Sequence, residues 1–314
     1  MKSLRSPGAL AHLVAAAALL LGLAAESAGA QRVRRSSSQG RARTDTTFTF
    51  DKTGSITVTA PNGDIVINGT SGNQLHIRGG SDDDALRLDV STGRVMIQTS
   101  NGSDGVELSV PQGVRVIAHS RSGDVKINGT HGEVEVHAFS GDIQVDDVVG
   151  RLDVSSLSGD ITVTNVAGNA GIETTGGDVK ISNIRGDLDI GTVSGDIQLR
   201  GVTAKTVHAK TTSGDVTFDG LIDPAGTYEL STHSGDVGLH VQHDASAQLT
   251  VSTWSGTVDS EFPITLRPGE HPIGSGTSKR FTFVIGKGEA RVSAETFSGD
   301  INISANGHGA TGRP

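Results

Sequence analysis

The 314-residue chain carries 26 Lys and Arg against 35 Asp and Glu, a formal net charge of −9, and no cysteine. Without cysteine there can be no disulfide framework, no thiolate zinc site and no lipid attached at a cleavage-site thiol. Residues 1–45 hold 7 of the basic and 2 of the acidic residues, so the remainder holds 19 against 33, a net of −14, which makes the body a poor partner for nucleic acid.

The first 30 residues have the three parts of a secretory signal. Lys2 and Arg5 supply the positive start, Leu13 to Ala25 is an almost unbroken apolar run, and Ala28-Gly29-Ala30 is a small-residue cleavage site before Gln31. The run has 13 residues, short of the ~18 needed to span a bilayer, so a cleaved signal is expected, with a retained anchor as the alternative. The expected product is exported, to the periplasm, the cell surface or the medium, and the lack of cysteine suits a bacterial envelope. Residues 31–45 form a basic, Ser-rich linker with Arg32, Arg34, Arg35, Arg41 and Arg43 around Ser36, Ser37 and Ser38. It reads as a disordered tether, or as an electrostatic contact to anionic lipid or polysaccharide.

From residue 46 to 304 the tripeptide Ser-Gly-Asp recurs, followed by Ile or Val. Its aspartates are Asp124, Asp142, Asp160, Asp178 (where Gly176 replaces Ser), Asp196, Asp215, Asp236 and Asp300, with Asp64 in an Asn-Gly-Asp copy. The steps from Asp124 are 18, 18, 18, 18, 19 and 21 residues, and a fixed interval of this size marks a repeat architecture. In the unit beginning at Ser140, apolar residues fall at positions 4, 6 and 9 (Ile143, Val145, Val148) and again at 13, 15 and 18 (Leu152, Val154, Leu157). Two apolar residues spaced by two form one face of a short strand, and the third is expected to fill a corner of the core. β-Branched residues dominate the runs and glycine precedes each strand, so the mature chain is expected to be all-β.

One strand and turn cannot bury its apolar edge alone, whereas stacked coils can. The expected fold is a β-solenoid, parallel β-helix-like, of 12 to 13 stacked coils of 18–21 residues over 46–304, a rod ~60 Å long. An antiparallel meander or sandwich of the same strands is the alternative. Asp64 lies 60 residues before Asp124, which predicts three coils between them. The 221–229 insertion, lengthened by Asp223-Pro224-Ala225-Gly226, and the Pro-containing stretch 262–280 interrupt the repeat and are the expected carriers of specificity. Residues 305–314 read as a disordered tail.

In-register stacking would place Asp124, Asp142, Asp160, Asp178 and Asp196 one above another, so something must offset their repulsion. Backbone N–H donors within each carboxylate's own turn are the favoured answer, and a column of calcium ions is the alternative. A polysaccharide-cleaving site would need converging carboxylates, for which Asp146, Asp147, Asp153, Asp187 and Asp189 are the candidates. His240 and His243 are the tightest histidine pair but lack a third metal ligand. Arg185-Gly186-Asp187 occupies a half-repeat slot and reads as a turn. No catalytic, metal or cofactor residues are assigned, and no glycine loop opens a helix to cradle phosphate.

The repeated Ser-Gly-Asp-Ile/Val units resemble the bacterial putative-adhesin family of β-strand-repeat proteins. Trp254-Ser255-Gly256-Thr257, Gly286-Lys287-Gly288-Glu289 and the closing Ser298-Gly299-Asp300-Ile301 add to the likeness. It covers roughly residues 46–304. It implies an exported or envelope protein and offers no catalytic residues to carry over. The expected function is a non-enzymatic cell-envelope or surface interaction protein with a protein or polysaccharide ligand and no transmembrane segment in the mature chain. A polysaccharide-active β-helix enzyme and a calcium-binding structural protein are the alternatives.

Overall fold

A computed structural model describes residues 44–80, 86–100, 105–263, 265–266 and 279–305, and their regular structure is strand throughout, in 25 segments. The signal segment, nearly all of the basic linker and the tail after Ala305 lie outside the described residues. The first strand, Thr44–Thr49, begins two residues earlier than the repeat domain read from the sequence.

One coil contains an upstream strand leading into the Ser-Gly-Asp turn and a downstream strand leaving it, such as Val134–Ser140 and Ile143–Val149. The next coil supplies Leu152–Ser158 and Ile161–Ala167, paired in parallel with Val134 opposite Leu152 and Ile143 opposite Ile161. The same parallel register carries Leu152 to Ala170 and Val179 to Ile197. Coil stacking, not a meander, is therefore the arrangement, and upstream and downstream strands build two long parallel faces.

Positions 4, 6, 9, 13 and 15 of the unit form the core: Ile143, Val145, Val148, Leu152 and Val154 are buried, as are their counterparts in the neighbouring coils. Position 18 differs from the expectation. Leu157 is 43% exposed and Val193 51% exposed. The two halves of the repeat diverge for a conformational reason. In the downstream strand Asp147, Asn165 and Asn183 adopt φ of 54–58°, which breaks the strand alternation and turns position 9 back inward; Asp and Asn tolerate this region better than most residues. No such break occurs in the upstream strand. Strict alternation therefore continues, position 17 faces inward and position 18 outward. At position 17 the buried hydroxyls of Thr174 and Thr192 are satisfied, donating to Gly176 O (3.1 Å) and Ser194 O (3.3 Å), whereas Ala138 stands there in an earlier coil and the equivalent Thr99 Oγ1 is buried without a hydrogen bond.

The coils do not stack in chain order at either end. Coil 55–70 lies between coils 94–111 and 115–128, with Ile56 opposite both Val95 and Val116 and Ile65 opposite both Val106 and Val125. Coil 290–305 lies between 227–241 and 247–260, with Val292 opposite both Tyr228 and Leu249. Asp64 and Asp124 are thus adjacent rungs, not rungs three coils apart. The spatial order is 94–111, 55–70, 115–128, 134–149, 152–167, 170–185, 188–203, 207–222, 227–241, 290–305 and 247–260, which is eleven coils rather than twelve to thirteen. At a ~4.8 Å interval the stack is about 50 Å long.

Antiparallel strands close both ends. Gln74–Gly79 pairs with Gly105–Pro111, Thr44–Thr49 pairs with Gln74–Gly79, and Arg87–Ser91 pairs with Arg94–Gln98. At the far end Lys279–Ile285 pairs with Ala247–Ser255 and with Thr265–Leu266. These strands cover parallel edges that would otherwise offer unpaired backbone to another chain.

The turn glycine sets the coil spacing. Gly159 has φ of 113°, and a Cβ there would sit 2.2 Å from the carbonyl oxygen of Gly141 in the preceding coil. We expect Gly159→Ala to destabilise the protein by at least ~2 kcal/mol. Gly191→Ala, on the outer surface with no atom within 4 Å of the added methyl, should stay within ~0.5 kcal/mol of the parent. Chemical denaturation of the two variants checks the contrast.

Candidate functional site

The turn aspartates form one continuous ladder. The backbone N–H of Asp124 donates to Asp64 Oδ1 (2.9 Å), Asp142 to Asp124 (3.0 Å), Asp160 to Asp142 (3.0 Å), Asp178 to Asp160 (2.9 Å) and Asp196 to Asp178 (3.1 Å). Asp215, Asp236 and Asp300 continue it at 2.7–2.9 Å, and Thr257 N–H closes it on Asp300 Oδ1. Backbone donors therefore offset the repulsion, but each comes from the next coil and not from the carboxylate's own turn. The last coil has Thr257 where the nine preceding rungs have Asp, so the ladder ends without an unused carboxylate at that rung. Among the described residues no group of three or more His, Asp or Glu side chains is placed to hold a metal ion.

The outer surface of the upstream face holds a groove of about 790 Å³. It is lined by Glu133, Glu135, Asp153, Glu173, Asp187 and Asp189, with Arg151, His137 and His208 among them. Outward-facing Gly171 leaves a dip between longer side chains. Three of the five carboxylates singled out from the sequence, Asp153, Asp187 and Asp189, meet here. Asp146 and Asp147 do not: Asp146 accepts a hydrogen bond from Asn165 Nδ2 (3.1 Å), and Asp147 is the left-handed corner of its coil.

Much of this groove is already paired. Asp153 receives Arg151 Nε and Nη2 (2.5 and 2.8 Å). Asp187 Oδ1 accepts Thr206 N–H (3.0 Å), while Asp187 N–H donates to Asn169 Oδ1 (3.1 Å), a shorter version of the turn ladder at the half-repeat corner. This makes Arg185-Gly186-Asp187 a hydrogen-bonded corner, with Gly186 against Gly168 and the side chains of Arg185 and Asp187 exposed. Glu135 bonds His137 Nε2 (2.8 Å) and Arg115 Nη2 (3.0 Å), and these contacts hold its carboxyl below the usual range. A general acid for glycosidic cleavage needs a shift in the opposite direction.

Position 18 generates an outward apolar column along the edge between the upstream strands and the turns. In spatial order it runs Phe139, Leu157, Thr175, Val193, Thr212, His233, Phe297 and Trp254. Phe139 is 59% exposed, Phe297 48% and Trp254 50%. The rings of His233 and Phe297 stack at 4.8 Å and 14°, and those of Trp254 and Phe297 at 5.8 Å and 7°. This column was missed in the sequence because position 18 was assigned to the core. A Ser or Thr precedes it in seven of the eight coils, Ala138 before Phe139 being the exception, and that hydroxyl is the signal for placing it outside.

The remaining candidates lie away from the groove and the column. His240 Nδ1 contacts Ser304 Oγ (2.6 Å), tying the 227–241 coil to the inserted coil, whereas His243 is exposed in the turn that follows. The insertion at 223–226 folds onto buried Tyr228, whose hydroxyl accepts Asp223 N–H (2.8 Å) and donates to Ala204 O (2.7 Å). Burial pushes this phenol above its ordinary pKa. Most of the 262–280 stretch lies outside the described residues.

The profile of the Toastrack DUF4097 family matches residues 43–304, and the chain belongs to that family. No curated protein matches it. Among solved structures it is similar to a putative adhesin from Parabacteroides distasonis, with 14% identity over 84% of this chain and 97% of that one and a TM-score of 0.44. A putative adhesin from Bacteroides fragilis matches at 11% identity over 83% and 97%, with a TM-score of 0.37. A putative cell adhesion protein from Clostridium sporogenes matches at 8% identity over 84% and 100%, with a TM-score of 0.24.

Two outcomes follow from the ladder and from the imidazole pair beside the groove. Asp160→Ala removes the acceptor for Asp178 N–H and should cost about 1 kcal/mol; Asp160→Asn keeps an acceptor and should cost less, while a chelator should leave the melting temperature unchanged. His119 stacks on His137 at 5.1 Å, and burial, then the charge of His137, hold its pKa below the ordinary imidazole value. The unfolded chain therefore takes up this proton first. Stability should begin to fall as pH drops through the ordinary imidazole range and level off below the folded-state pKa. Denaturant titrations from about pH 8 to 5 should show this limb, and His119→Gln should flatten it.

Proposed function

We propose that this member of the Toastrack family is an exported, non-enzymatic interaction module of the bacterial cell envelope or surface, which holds its ligand along the apolar edge of the rod. The observation that carries this reading is the column from Phe139 to Trp254. Large apolar side chains at about half exposure occupy five of its eight positions, Phe139, Leu157, Val193, Phe297 and Trp254, although the core is already complete without them. Exposed apolar clusters rimmed by polar residues are a usual mark of an interaction surface. The signal-like start at Lys2 to Ala30 supports export, and the rigid parallel stack keeps the edge straight without cost to the ligand-bound state.

The polysaccharide-cleaving alternative draws on the groove, where Asp153, Asp187 and Asp189 do converge. Its support is weaker because Asp153 is bound by Arg151, Asp187 by Thr206 N–H, and Glu135 is stabilised as a carboxylate.

A Leu157→Ser, Val193→Ser, Phe297→Ser variant separates the two readings. Its melting temperature should be close to that of the parent, since exposed sites contribute little to stability. Its binding to envelope fractions of the producing bacterium should fall at least tenfold, as for truncation of interface anchors. Undiminished binding, or binding lost instead in Asp189→Asn, would count against the edge.

A further inference from the structure

The partner's chemistry can be read from what borders the column. On one side, three residues past position 18, run the turn carboxylates Asp142, Asp160, Asp196, Asp215 and Asp236, all exposed. On the other side lie Glu173 and Glu295 at position 16, then Glu135, Asp153, Asp189 and Glu229 at position 14. The cations on that side are fewer than the acids. Lys210 stands at position 16, Arg280 is paired with Glu295 (3.2 Å), Arg115 with Glu135 (3.0 Å) and Arg151 with Asp153, while Arg121 adjoins Phe139 at the end of the column. The apolar residues are thus bordered by an excess of acid on both flanks, on a body whose net charge after residue 45 is −14.

We propose that the edge docks a polypeptide segment bearing an apolar stripe bordered by Lys and Arg, laid lengthwise along the rod from Phe139 to Trp254. This rests on the edge being the binding surface and adds the identity of what it binds. Two facts select this occupant. A second copy of the chain would bring the same acidic flanks against these, and like charges facing across an interface oppose association. An anionic lipid surface meets the same repulsion. A cationic apolar segment satisfies both parts of the surface together, burying the column and neutralising its borders. The stacked rings of His233, Phe297 and Trp254 present a ridge at one end, and Phe139 with Leu157 presents another at the far end, ~30 Å away at the coil spacing.

Trp254 is the chain's single tryptophan and half exposed on the column, so its emission reports directly on occupancy. The test uses the full mature chain and three Trp-free synthetic peptides. One has an apolar Leu stripe bordered by Lys, one has Glu for Lys, and one has Ser for Leu. The Leu/Lys peptide should shift Trp254 emission to the blue, with affinity falling at least tenfold between about 50 and 500 mM salt and at least tenfold in Leu157→Ser, Val193→Ser. The other two peptides should bind at least tenfold more weakly, and anionic vesicles should leave the emission unchanged. A Phe139→Trp reporter in a Trp254→Phe background should shift as well.

Equal binding of the Leu/Glu peptide, still lost in the Ser variants, would overturn the cationic partner while leaving the edge as the binding surface. Leu/Lys binding unaffected by the Ser variants would overturn both. Equal binding of the Ser/Lys peptide would overturn the apolar contribution, a vesicle-induced shift would favour a membrane surface instead, and a shift at only one reporter would overturn the lengthwise placement.

Discussion

The closeness of backbone to backbone at the turn corners governs everything else in this protein. Gly159 lies against the carbonyl of Gly141, and Gly177 lies in the same way against Gly159. A side chain at either corner would wedge the coils apart and break the parallel ladders. With the coils held together there, an Asp side chain is long enough to reach the N–H of the next turn. A row of carboxylates that would otherwise repel becomes a row of acceptors, each stabilised by a donor fixed in the backbone.

That geometry explains why inward and outward positions carry different information. Inward positions are filled mostly by Ile, Val and Leu, with buried Thr beside the turns, because they must match the neighbours above and below. Outward positions escape that demand, so the groove and the apolar edge can vary without disturbing the stack. A protein built in this way keeps its recognition chemistry on side chains that the fold does not use.

The sequence made the core legible where the apolar spacing and a strand's two-residue period agree, at Ile143, Val145, Leu152 and Val154. It also made Val148 legible, though its inward turn depends on the left-handed residue at Asp147. Leu157 was misplaced because its spacing copies that of Val148 while its backbone does not. Asp147, Asn165 and Asn183 precede the inward residue of one half, whereas Ser156, Thr174 and Thr192 precede the outward residue of the other. That difference is visible in the letters, but its meaning depends on φ. The exchange of coils at the ends was not legible, since Asn62–Thr70 and Ser122–Thr130 match as units and matching units say nothing of which stack together. Nor was the groove, which arises from relief across five coils, with Gly171 low beside Glu135, Asp153 and Glu173. The carboxylates were visible in the sequence; their existing partners Arg151, Thr206 and Arg115 were not.

The tucked-in coils at 55–70 and 290–305 have a consequence for how such a rod can evolve. Each terminal coil is held on both sides by coils distant in the chain, Ile56 by Val95 and Val116, Val292 by Tyr228 and Leu249. A duplication appended at either terminus would therefore find no open platform on which to continue. Between residues 134 and 203, where chain order and stacking order coincide, a whole unit can be gained or lost while its neighbours simply close up. Lineages of this architecture should change length from the middle, one 18-residue quantum at a time, with both ends kept intact.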